Sequence, residues 1–162
     1  MDYKECLAKR PLAEPNNGVG QCRFNLFRNI LARIDLCVEE GYPIEALALE
    51  ETFISDRLNS QIVYFSGRLN ESNFERKIKK AKELNIFDDA LLDETNSWRL
   101  ERNKCIHGLL DIDIKNLEEE KWEKRFKGAL DAARRGRDLA LRIHRAVDKV
   151  KRVNKRKCDK NV

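Results

Sequence analysis

The residues best suited to chemistry lie in one stretch, Trp98-Arg99-Leu100-Glu101-Arg102-Asn103-Lys104-Cys105-Ile106-His107-Gly108. Asn103 and His107 are one helical turn apart and share a helix face. Arg102 stands about 140° around an ideal helix from His107, and its long side chain can wrap toward the same region. An imidazole moves protons near neutral pH, a guanidinium holds an anionic phosphate through paired hydrogen bonds, and an amide orients either one. That set suits phosphate-ester chemistry. The apolar neighbours Leu100, Ile106, Leu109 and Leu110 are expected to anchor the segment to a core. Arg137-Asp138…His144 has similar spacing, but it sits inside a long charged helical pattern and is read as structural.

Other chemistries find no support in the pattern. There is no Walker-type loop and no Gly-x-Gly-x-x-Gly turn to cradle a nucleotide. The chain has two histidines, and no His/Cys cluster has metal-ligand spacing, so no metal is expected. Cys6, Cys22, Cys37, Cys105 and Cys158 are odd in number and widely spaced, which fits reduced thiols in a cytoplasmic protein.

The elements that must position Arg102–His107 read as helices. From Ile44 onward there is no proline, and Leu, Ala, Glu, Lys and Arg are abundant. A first helix is predicted over Arg23–Glu40, with Phe24, Phe27, Leu31, Ile34 and Val38 at helical spacing and Gly41 as its stop. Tyr42-Pro43 connects it to a second helix over Ile44–Phe65, whose stripe is Leu47, Phe53, Ile54, Leu58, Ile62 and Phe65, ended by Gly67. Gln61–Phe65 is β-prone but lies within this longer helical pattern. Ser72 and Glu75 have capping-box spacing ahead of a short basic helix with Phe74, Ile78, Ala81 and Leu84 on its narrow apolar face. Lys77, Lys79, Lys80 and Lys82 lie mostly outside that face. A helix over Asp89–His107, with a possible break at Thr95-Asn96-Ser97, is capped by Gly108. Leu109–Asn116 reads as a loop, and a long helix follows over Leu117–Val150. Trp98, Trp122, Phe74 and Tyr64 read as core.

The expected architecture is an all-α antiparallel bundle of four or five helices. Residues 1–20, with Pro11, Pro15 and Asn16-Asn17-Gly18, should be weakly ordered; 21–150 form the domain; 151–162 form a basic C-terminal tail that frays. No apolar run is long enough to span a membrane, and the N-terminus lacks a signal-peptide core. The net charge of +5 is unevenly placed: residues 121–162 hold 16 Lys/Arg against 5 Asp/Glu, whereas residues 1–120 hold 17 against 23. An acidic body with a basic C-terminal segment suggests a polyanionic partner.

Arg102-Asn103 with His107-Gly108 resembles the Arg-x(4–6)-His motif of the HEPN superfamily, in which a polar residue, often Asn, follows the Arg. Ala46–Leu58 is similar to that family's second helix, which commonly carries an acidic residue facing the site. The resemblance implies a metal-independent endoribonuclease without cofactor, in which the RNA's 2′-hydroxyl attacks the adjacent phosphate. Catalytic roles then fall to Arg102, His107, Asn103 and one of Glu50, Glu51 or Asp56, with Glu51 preferred. Lys104, Arg134, Arg135, Lys151 and Arg152 are the expected RNA-binding residues. The resemblance further implies a homodimer with a composite site, a toxin or antiviral effector role, and an antitoxin or regulatory protein as partner. The tyrosine that some members carry two residues after the His is Leu109 here, which argues against regulation through it. Other HEPN domains keep the bundle without catalysis and serve as RNA- or protein-binding modules, the alternative expectation.

Overall fold

Local signals set most helix ends. The computed structural model describes residues 19–67, 73–110 and 119–158, with side chains described for 25–67, 73–109 and 121–150. These residues form α1 (Val19–Glu39), α2 (Pro43–Ser66), α3 (Phe74–Glu83), α4 (Asp89–Leu110) and α5 (Glu119–Cys158), with no strand among them. Gly41 (φ 77°) and Gly67 (φ 71°) take the left-handed conformation that ends α1 and α2. Pro43 opens α2, where its missing N–H leaves no bond unmade. Gln61–Phe65 is helical, as the longer pattern requires.

Four long helices form an antiparallel bundle. Arg137 of α5 meets Glu39 at the end of α1, while His144 packs on Phe27 near its start, so α1 and α5 run in opposite directions. Arg125 and Arg142 of α5 meet Gly108 and Glu94 of α4, which is also antiparallel to α5. α2 packs against every other helix, and α3 crosses from α2 to α4. The core is built from Leu31, Ile34, Phe53, Ile54, Leu58 and Ile62 on α1 and α2, and from Leu92, Trp98, Leu139 and Ile143 on α4 and α5. Burying each such side chain stabilises by about 1.5–3 kcal/mol. Ala129, Ala132, Ala133, Gly136 and Ala140 keep the inner face of α5 thin, so α2 and α4 approach closely. Trp98 fills the space left and donates its Nε1–H to the Ala132 carbonyl at 3.0 Å.

Several sequence expectations need correction. Gly108 is no cap: α4 runs through it to Leu110. Leu109, assigned to a loop, is buried in the core. Burying it is worth about 2 kcal/mol, more than the roughly 1 kcal/mol that a helical glycine costs. Thr95 and Ser97 do not interrupt α4; their hydroxyls bond back to the Leu91 and Asp93 carbonyls within the helix. Asn73 caps α3, its Oδ1 accepting from the Glu75 N–H at 2.8 Å. Gly20, placed in the weakly ordered segment, lies inside α1, and α5 continues past Val150 to Cys158.

Tyr64 and Phe65 are exposed and stack edge-on at 5.2 Å rather than entering the core. Leu100 is also exposed, half a turn from buried Trp98. Trp122, read as core, is 41% exposed. It continues the inward-facing heptad of Ala129 and Ala133, but α5 is about 60 Å long against about 33 Å for α4, so the stripe outruns its neighbours. Residues 1–18, Ser72, residues 111–116 and Leu117, the expected start of the last helix, lie outside the described residues.

Candidate functional site

Residues 48, 51, 52, 55, 56 and 59 recur at helical spacing and form one face of α2. α3 and α4 rise on either side of it. Lys77 of α3 donates from Nζ to the Ser55 hydroxyl at 2.9 Å. Arg102 of α4 lies over Glu51, and its Nη2 ion-pairs with the Glu51 carboxylate. The result is a polar cleft of about 450 Å3 with both cations at its walls.

Three of the sequence-singled residues meet here. Arg102 Nη1 donates to Asn103 Oδ1 at 2.8 Å while Nη2 engages Glu51, so the guanidinium is held from two sides in a fixed plane. Arg102 and Glu51 are each about three-quarters buried, which strengthens their pairing relative to open solvent. His107 stands one turn beyond Asn103 on α4, exposed, with no hydrogen bond or ion pair to any described residue. It does not line the cleft. Arg102, Asn103 and His107 thus form a ridge from the cleft wall toward the C-terminal end of α4.

The three acidic candidates have three different environments. Glu50 is wholly buried between α2 and α5, away from the cleft, and neither oxygen finds a hydrogen-bond donor among the described residues. Burial pushes its carboxyl up to about 9, with Asp138 adding to the rise and Arg137 opposing it. It is therefore an uncharged acid at neutral pH. Asp56 touches the cleft but is bound at 2.8 Å by Nη2 of Arg57, a buried guanidinium stacked 3.4 Å over the Phe27 ring. Glu51 is the acid that reaches Arg102.

Cys105 does not add a nucleophile to the ridge. Burial pushes its thiol up, Glu101 adds to this and Arg135 offsets part of it, so the thiolate is scarce at neutral pH. The second Arg/His pair is built into the scaffold: Arg137 pairs with Glu39, and His144 packs between Phe27 and Phe53. Among the described residues, no group of three or more His, Cys, Asp or Glu is placed to hold a metal ion, and no helix is long and apolar enough to cross a membrane.

The expected RNA-binding residues are spread along the surface. Lys104 is exposed beside the ridge. Arg134 pairs with Asp131 and Arg135 with Glu101, both exposed. Such pairs contribute about 1 kcal/mol or less and exchange readily for another anion. Lys151 and Arg152 lie on the helical backbone of α5 beyond the described side chains. Sequence reasoning did not name Asn59, Ser55 or Lys77 for the site. The first two follow Glu51 at helical spacing and were legible once Glu51 was chosen, but the approach of Lys77 depends on how α3 crosses. Compared with family models, curated proteins and solved structures, the chain matches none.

Proposed function

We propose that this chain is a HEPN-type, metal-independent endoribonuclease centred on Arg102, Asn103 and His107. The observation that carries the reading is the Glu51–Arg102–Asn103 chain of contacts, which fixes a guanidinium at the mouth of a polar cleft, with an exposed imidazole one turn beyond Asn103 on the same helix. An incoming RNA phosphate displaces the Glu51 carboxylate from Arg102. The 2′-oxygen then forms a bond to phosphorus as the bond to the 5′-oxygen breaks, leaving a cyclic phosphate and a 5′-hydroxyl. His107 transfers a proton at one of these oxygens, and Arg102 stabilises the charge that builds on the phosphoryl oxygens. A second copy of the chain supplies the other proton carrier across a two-fold axis. Lys104, Arg134 and Arg135, with the basic end of α5 that carries Lys151 and Arg152, hold the flanking phosphates, so affinity falls steeply with salt. A toxin or antiviral effector, checked by a partner protein, is the role that fits such an activity.

The test is cleavage of mixed cellular RNA in EDTA by the wild type, His107→Ala and Arg102→Ala. The expected result is cutting by the wild type that drops about 10²–10⁴-fold in His107→Ala, the usual contribution of a positioned acid–base group. Equal cutting by wild type and His107→Ala would remove the ridge from the mechanism. The lack of any described partner to orient His107 favours a second reading, a non-catalytic module that binds RNA through the same basic surface. Salt-sensitive RNA binding without cleavage by folded wild type would select it.

A further inference from the structure

We propose that the cleft between α2, α3 and α4 selects the RNA base beside the scissile phosphate and prefers bases bearing an exocyclic amino group; this rests on the ribonuclease reading above. The walls and floor of the cleft carry opposite chemistry. Lys77 and Arg102 on the walls are donors suited to phosphate oxygens. The α2 floor is rich in acceptors: the carboxylates of Glu51 and Asp56 and the amide oxygen of Asn59. A volume of about 450 Å3 is within the range of small-ligand clefts and admits one nucleotide.

Three polar atoms of this cleft's lining residues lack hydrogen-bond partners among the described residues: Asn59 Oδ1, Arg102 Nε and Glu51 Oε2, the last of which is ion-paired with Arg102. Each is buried, and an unmet donor or acceptor of this kind costs about 1–3 kcal/mol. The buried Asn59 oxygen is the atom left without a donor, so the amide presents an acceptor to a base edge. Adenine and cytosine offer an amino group to that oxygen and to the neighbouring carboxylates. Uracil offers two carbonyl oxygens flanking a single N3–H, and those oxygens face the same acceptors with like partial charge. Discrimination by a single well-placed amide is worth roughly tenfold or more. Asn59 is thus a specificity-determining residue, and Lys77 a base-independent phosphate contact.

The test uses fluorescently labelled single-stranded oligo(A), oligo(C) and oligo(U) bound to the His107→Ala chain, read by anisotropy, together with end-mapping of fragments cut from mixed RNA by the otherwise unaltered chain. Oligo(A) and oligo(C) should bind roughly tenfold tighter than oligo(U), and cut sites should be depleted in uridine on one side. Asn59→Leu should bring the three affinities within about twofold of one another. Lys77→Ala should weaken all three alike, with thermal melting confirming that both variants fold. Equal affinities in the parent, or a preference that survives Asn59→Leu, would overturn the inference while cleavage of mixed RNA leaves the ribonuclease reading standing. Absence of both binding and cutting by folded protein would overturn the two together.

Discussion

Glu50 and Glu51 are consecutive residues of one helix with the same side chain, and the bundle puts them to opposite uses. A step of about 100° along α2 turns Glu50 inward against Gly136 and Trp98, and Glu51 outward against Arg102. Inside, the carboxyl has no donor and sheds its charge. At the cleft, a guanidinium compensates the carboxylate and solvent reaches both. A buried acid without a partner is a burden that grows as pH rises, whereas a paired acid at a cleft can be exchanged for substrate. The comparison sets a buried, uncharged acid beside a charged, paired one within two adjacent positions.

The largest expected effect is on the inner residue. The folded-state value of Glu50, about 9, lies above the ordinary 4.5, so folding takes up a proton between these values. The contribution of Glu50 to stability is therefore most favourable below about pH 4.5, falls as pH rises toward 9, and levels off above it, by at most about 6 kcal/mol. Urea melts from pH 5 to 9 should show this slope, and Glu50→Gln should flatten it. An unchanged slope in the variant would break the comparison. Next in size is Gly136→Ala. A methyl group there would stand 2.7 Å from both Glu50 Cδ and Trp98 Cζ2, closer than carbon atoms pack. The variant should lose about 2 kcal/mol, or roughly 4–8 °C in Tm.

The cleft side should respond differently. Glu51→Gln removes the charge that neutralises Arg102, at a cost to stability of about 1 kcal/mol or less. It should also tighten RNA binding by roughly fivefold in anisotropy titrations, because the guanidinium no longer has to leave a carboxylate. Weaker binding in Glu51→Gln would mean that Glu51 orients Arg102 more than it competes with phosphate. The smallest effect is a control on the exposed face of the same helix. Gly128 also lies within α5, but a methyl there meets nothing within 4 Å. Gly128→Ala should stabilise by up to about 1 kcal/mol, the helix-propensity gain that crowding at Gly136 reverses.

Whatever depends on residues close in the chain was legible without the fold. The proline at the start of α2, the glycines after α1 and α2 and the 3–4 spacing of Phe27, Leu31, Ile34 and Val38 define helices by local sterics and periodicity. The nearness of Arg102 to Asn103 follows from adjacency, and the position of His107 relative to Asn103 from helix pitch alone. Tertiary structure decided what a helix meets across a gap. Sequence left Glu50, Glu51 and Asp56 as alternatives because all three sit within two turns. Only the directions of α4 and α5 show that Glu50 faces the core and Glu51 faces Arg102, while Asp56 is held by its chain neighbour Arg57. The exposure of Trp122 and the helical state of Gly108 have the same origin. Periodicity fixes which face of a helix is apolar, but whether that face is covered depends on where neighbouring helices end. Local rules thus determined the elements of this protein, and long-range packing determined which of its many charged side chains remain available for chemistry.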